Sequence, residues 1–224
     1  MAEKVDFSKY QDQIRKILDK YVTAQEVDLL SKPINLSDAI EFNSFIEDDK
    51  NGLSDRSKAE AIAAQTQKTI SERWDQDPIF YDRFSRQVQA LLADLRTARQ
   101  EDLQALLDKT KDLQREVENY EDNDIPLPIQ DRKEVHPYYR LLKKELKAHL
   151  GEEELIQIAT HLVNIINKER KVDWKDSIEV KRTVRDQMED YFFDEIKGKM
   201  QVSLTVEFIE SFIENTWNLA IKND

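Results

Sequence analysis

Three imidazoles are available for chemistry in this chain, His136, His149 and His161, and their spacing is unsuited to a helical zinc site. Such a site presents two histidines one helical turn apart on one face. His149 and His161 are twelve residues apart, or roughly 18 Å along a continuous helix, and Gly151 interrupts that path. His136 beside Pro137 reads as a helix-start residue, and His149 near a helix end suits the helix dipole. Carboxylates crowd together at Asp48 and Asp49, at Glu152 to Glu154 and at Glu189 and Asp190. In so acidic a chain their adjacency reads as solvated helix surface rather than an acid–base pair. The three glycines, Gly52, Gly151 and Gly198, form neither a phosphate-cradling loop nor a dinucleotide fingerprint. Gly198 and Lys199 are followed by Met200, and the position five before Gly198 is Phe193. With no cysteine there is no thiolate nucleophile, disulfide or thiolate metal site. The residues therefore point to no catalytic site, no bound cofactor, no metal and no small-molecule substrate.

The elements that carry these residues are helices. Hydrophobic residues make up 39% and charged residues 36% of the chain, a mixture suited to amphipathic helices with charged outer faces. Three glycines and five prolines leave little material for a turn-rich β-architecture. No apolar leader and no run approaching about 18 apolar residues is present, so the expected setting is cytoplasmic, with no membrane partner. The expected fold class is all-α, a multi-helix bundle of two packed helical subdomains.

A formal net charge of −12 disfavours nucleic acid as a direct partner, because phosphate binding depends on counterion release to lysine and arginine. Charge is nevertheless uneven: residues 136 to 185 hold 11 basic and 8 acidic side chains and so carry +3. Arg140, Lys143, Lys144, Lys147, Lys181, Arg182 and Arg185 are the candidate contacts of this strip, either with phosphate or with an acidic protein. A solvated helix face is the simpler reading of the same residues.

Along the chain, the spacing predicts a helix from about Ser8 to Tyr21 and a short one capped by Ser37 that carries Ile40, Phe42, Phe45 and Ile46. Residues 1–53 are read as short helices, 54–121 as a long-helix subdomain, 122–136 as an extended connector and 137–224 as a carboxy-terminal helical subdomain. In the second region a helix starts at Ser54 or Ser57 and reaches about Trp74. Asp77 and Pro78 then supply a cap and a first-turn proline for a helix bearing Phe80, Tyr81, Phe84 and Val88. A break near 97 to 101 precedes a heptad at Leu103, Leu106, Thr110, Leu113, Val117 and Tyr120, which suits either the edge of an intramolecular bundle or a self-pairing coiled coil.

The connector carries Pro126, Pro128 and Pro137, and Ile125, Leu127 and Ile129 are expected to pin it to the surface. Helices are then expected at Pro137 to Leu150, Glu152 to about Arg170, Ser177 to Ile196, and after Ser203. The last is apolar over most of its circumference. Such a helix is either buried centrally or is a seat for another protein; in the second reading Phe208, Phe212 and Trp217 are the anchors.

One run reaches beyond physical chemistry. Residues 61 to 92, AIAAQTQKTISERWDQDPIFYDRFSRQVQALL, contain T-I-x-E-R and D-P-x-F-Y-x-x-F-S, here Thr69, Ile70, Glu72, Arg73, Asp77, Pro78, Phe80, Tyr81, Phe84 and Ser85. The run resembles the carboxy-terminal helical region of the motor (restriction) subunit of bacterial type I restriction-modification enzymes. The stretches DFSKYQDQIRKILDKYVTAQEV and VDWKDSIEVKRTVRDQMEDYFFDEI look similar to the same region. The resemblance implies an assembly module that attaches the ATP-dependent, DNA-translocating and DNA-cleaving subunit to a methyltransferase core of modification and specificity subunits. ATP, magnesium, nuclease activity and DNA contact would then belong to the parent enzyme, and the fragment would not be an enzyme. The competing expectations are a helical accessory domain that contacts DNA through the basic strip, and an unrelated self-associating helical scaffold.

Overall fold

A computed structural model describes Phe42, Ser44, Ile46 and residues 52–223. The chain divides into two compact units, Met1–Asn51 and Gly52–Asp224. In the first, Phe42 and Ile46 are helical and buried; the expected helix at Ser8 to Tyr21, the Ser37 cap, Ile40 and Phe45 lie outside the described residues. Among the described residues the fold is all-α, with no strand.

The second unit begins with three helices packed on one another. Helix α1, Asp55–Arg73, starts at Ser54, whose side chain accepts a hydrogen bond from the Ser57 amide and so satisfies one of the free amides of the first turn. Small Ala59 and Ala63, buried beside Ile62 and Ile70, allow close approach of its neighbours. Helix α2, Pro78–Thr97, is capped by Asp77, and it buries Phe80, Tyr81, Phe84, Val88, Leu91 and Leu95 on one face. The break after Thr97 comes at Ala98, which is extended, and the Arg56 guanidinium closes the end of α2 by donating to the carbonyls of Leu95 and Ala98. A 3₁₀ turn, Gln100–Asp102, leads into α3, Leu103–Asn119.

The apolar face of α3 is covered by α1 and α2 inside this unit. Its buried positions are Leu103, Leu107, Thr110, Leu113, Gln114 and Val117, so Leu107 replaces the expected Leu106. Residues four apart share a helix face as residues three apart do, so Leu107 and Gln114 lie on the side of Leu103, Thr110 and Val117.

The connector lies within the second unit. Ile125 and Ile129 are buried as expected, but Leu127 is 83% exposed. The 3₁₀ turn Leu127–Ile129 has three residues per turn, so residues two apart cannot share its inner side. A second 3₁₀ turn, Lys133–Val135, leads into helix α4, His136–Leu146, one turn shorter than expected. Helix α5, Glu152–Glu169, follows Gly151, whose amide donates to the Glu154 carboxylate at 2.8 Å. Helix α6, Ile178–Tyr191, is capped by Ser177 and continues as a π-helical segment, Phe192–Lys199, beyond the expected end at Ile196. Helix α7, Val206–Lys222, is capped by Thr205.

One apolar core runs through α4 to α7 and takes in Ile125 and Ile129. Within it Trp174 and Trp217 meet edge to face at 5.3 Å, and Phe192 lies 5.2 Å from Phe212. The two groups of helices are joined by packing of α4 on α2 and of α7 on the 3₁₀ turn Trp74–Gln76. Lys222 pairs with Asp75 at 3.0 Å, and Asn223 donates to the Gln76 carbonyl at 2.7 Å across the same seam. Among the described residues no helix is long and apolar enough to cross a membrane.

Candidate functional site

The densest polar constellation among the described residues sits where α2, the end of α3, the connector and α4 meet. Asp77 is 1% exposed. Its Oδ1 accepts the Phe80 amide at 3.1 Å as the cap of α2, and its Oδ2 accepts from both Arg140 Nη1 and the Tyr120 hydroxyl. Arg140, 7% exposed, also donates from Nη1 to the Tyr120 hydroxyl at 2.7 Å and from Nε to Asp122 Oδ2 at 2.9 Å. Asp122 Oδ1 in turn accepts from Arg83 Nη1 and from the Asp124 amide, each at 2.9 Å. The Arg140 guanidinium lies 4.8 Å from the Phe80 ring and 5.0 Å from that of Tyr120, so its faces as well as its edges are occupied.

Charge balance within the cluster sets the protonation of its members. Burial works against ionised Asp122, but the Asp124 amide, Arg140 and Arg83 outweigh it and hold the carboxyl below its ordinary value. Burial likewise opposes charge on Arg140, and Asp77 leads the groups that reverse this and raise its pKa. The Tyr120 hydroxyl is pushed far up by burial, with the Asp77 carboxylate adding to the rise, and stays a donor. Every functional atom of Asp77 is thus held by other parts of the chain. The arrangement is a buried ionic lock that ties the start of α2, the end of α3 and the connector to the middle of α4; it offers no exposed nucleophile, acid or base.

Tyr120 occupies the position that ends α3, with φ of 56°. Glycine is the usual occupant of this left-handed cap because it has no Cβ to clash. A tyrosine stands here because its ring and hydroxyl complete the lock. Tyr120 and Asp122 are the members sequence reasoning missed: one was read as a heptad position and the other as connector. A helix ending at Asn119-Tyr120-Glu121 with no glycine is the local signal that its cap has another task.

His136 opens α4 and is buried, with Nε2 2.9 Å from the Ile129 carbonyl and its ring stacked 5.8 Å from Tyr120. Nδ1 is buried without a hydrogen-bond partner. Burial, reinforced by the charge of Arg140, depresses the imidazole pKa below its ordinary 6.5, although the Ile129 carbonyl and Asp77 oppose the shift. A group whose folded pKa is depressed binds protons more readily when unfolded, so its stabilising contribution is complete above the unfolded value and is lost as pH falls. Urea midpoints are therefore expected to fall between pH 7.5 and pH 5.5, by at most about 1.4 kcal/mol per pH unit through this one group. His136→Asn should flatten that dependence. An unchanged slope in the variant would show that His136 does not carry it.

A cleft of about 300 Å³ lies beside the lock, with Arg73, Lys133 and Arg170 on its walls. Arg73 donates to the Glu118 carbonyl at 3.1 Å and Lys133 to that of Asn119 at 2.8 Å, both at the carbonyl end of α3. These two cations serve as its counter-charges. Among the described residues no group of three histidine, cysteine, aspartate or glutamate side chains is placed to hold a metal ion.

The structure disperses the residues of the basic strip. Arg140 is interior and engaged by Asp77 and Asp122, so it is not available to an external phosphate. Lys181 and Arg185 both pair with Glu214, at 3.0 and 2.7 Å, tying α6 to α7. Arg182 is exposed and only loosely paired with Asp186 at 3.8 Å. Lys143, Lys144 and Lys147 remain together at the end of α4: Lys143 lies 5.5 Å from the Tyr139 ring, Lys144 is 3.7 Å from Glu145, and Lys147, the residue that caps the helix, is exposed. Phe212 and Trp217 are core residues of the carboxy-terminal helices, and Phe208 is half-buried 6.0 Å from Phe212. The apolar circumference of α7 is therefore covered from within by α4, α6 and the 74–76 turn rather than presented to a partner.

The residues of the 61–92 run occupy the same junction. Ile70, Phe80, Tyr81, Phe84 and Ser85 are buried, Pro78 is the first residue of α2, and Arg73 holds the end of α3. No protein-family model, curated protein or solved structure matches the chain.

Proposed function

We propose that this chain is an assembly module of a type I restriction-modification enzyme, attaching the ATP-dependent DNA-translocating and DNA-cleaving motor subunit to the methyltransferase core of modification and specificity subunits. In this reading the chain holds no ATP, magnesium or nuclease centre of its own; the hydrolase and endonuclease activities reside elsewhere in the parent subunit. Support comes from the resemblance carried by Thr69 to Ser85 and from the structural work those residues do. They join α1, α2, α3 and α4 through a buried lock, as a rigid adaptor requires. The dispersal of the basic strip leaves the accessory DNA-binding reading with Lys143, Lys144 and Lys147 as the grouped members of its candidate contacts.

The test is capture by an immobilised methyltransferase core, run beside duplex DNA binding at two salt concentrations. The expected outcome is retention by the core, with no ATPase or nuclease activity. Salt-sensitive DNA binding without capture would sink the proposal, and a stable oligomer in sedimentation without capture would favour the self-associating scaffold.

A further inference from the structure

Lys143, Lys144 and Lys147 border a recess of about 300 Å³ between α2, the connector and α4. Ile79 and Phe80 provide apolar wall, and Arg83 lines the recess from α2. Arg83 Nη1 is held by Asp122 and Asp124, but its Nε is buried without a hydrogen-bond partner. Arg140 also lines the recess, with its guanidinium committed to Asp77 and Asp122. The cations of its lining, Arg83, Arg140, Lys143, Lys144 and Lys147, outnumber its carboxylates, Asp122 and Asp124, so the recess presents a positive charge to an acidic group from outside. The Tyr139 hydroxyl is held protonated there, pushed up to about 12 by burial, with Glu152 adding to the rise.

We infer that this recess receives a carboxylate side chain, glutamate or aspartate, from a protein partner. An acidic side chain flanked by an apolar one would meet the lysines, Arg83 and the Ile79–Phe80 wall together. A nucleic-acid backbone fits less well. Exposed Asp124 pairs with Arg83 at the recess, and Glu145 pairs with Lys144, so phosphates beyond the first would meet carboxylates. The chemistry of the site rests on the recess alone; naming the partner as the methyltransferase core rests on the proposed function.

The experiment is fluorescence anisotropy of a fluorescein-labelled decapeptide of alternating glutamate and leucine, titrated with the 224-residue chain. Saturable binding is expected, weakened about tenfold or more in Lys143→Glu/Lys147→Glu and nearly unchanged in Lys168→Glu/Lys171→Glu, which alters charge equally elsewhere. Lys143→Gln/Lys147→Gln repeats the test without reversed charge should the first pair perturb folding by circular dichroism. Absence of peptide binding, or equal loss in both pairs of glutamate variants, overturns the inference. Tighter binding of a duplex that is lost in the same α4 variants also overturns it in favour of nucleic acid. Capture of wild type and α4 variants alike by the methyltransferase core defeats the recess as its docking point and leaves the assembly reading standing. Peptide binding without core capture does the reverse.

Discussion

Replacing Arg140 by alanine is expected to lower the stability of the second unit by about 3–5 kcal/mol, read as a fall in the urea midpoint. The size follows from what the substitution leaves behind. Asp122 would keep Arg83, but Asp77 would remain in the interior without its cation, and an uncompensated buried charge costs more than the intact pair contributes. The loss is a large part of the roughly 5–15 kcal/mol by which domains are stable. Arg140→Lys tests the geometry separately. Lysine restores a charge but cannot reach Asp77, Tyr120 and Asp122 at once from a planar fork, nor lie between two aromatic rings in the same way, so only part of the stability should return. If Arg140→Ala proves nearly neutral, the constellation is not a lock.

Trp217→Ala should destabilise the chain by a similar amount, about 3–5 kcal/mol, because it empties a closely packed interior position. Trp217 is 1% exposed, meets Trp174 edge to face and lies under the Lys181 ammonium at 5.9 Å. Alanine leaves a cavity among helices that are pinned by their own caps and ion pairs and cannot collapse into it. Trp217→Phe, which fills part of the space, should cost less. The measurement is chemical unfolding followed by far-ultraviolet circular dichroism, which does not depend on the substituted fluorophore. The result also separates the two readings of α7. A partner anchor would lose binding and keep its fold, whereas a core residue loses the fold first.

Helix positions were legible from local signals. Ser54, Asp77 and Ser177 each stand at the start of the helix their side chain suggests, because capping depends on a few adjacent residues, whereas Gly151, expected to stop one helix, opens the next. Helix ends were less legible. Arg56 closes α2 from another helix, and α6 continues into its π-helical segment instead of stopping at Ile196. Leu107 in place of Leu106 has a related cause: a face is chosen by the neighbour that covers it.

The sequence alone determined the class: scarce glycine and proline and an apolar period near 3.6 leave helices as the available elements, and Asp77-Pro78 marks where one must begin. Only the tertiary structure decided which charged and aromatic side chains face inward. Arg140 and Lys147 are indistinguishable in the sequence as basic residues seven apart, yet the first is enclosed by Asp77 and Asp122, 63 and 18 positions upstream, and the second faces solvent. Likewise the breadth of the α7 apolar face was visible in the chain, but its cover was not. Local propensity acts over a turn or two, whereas burial and ion pairing are set by residues brought together from far along the chain, and no periodicity records them.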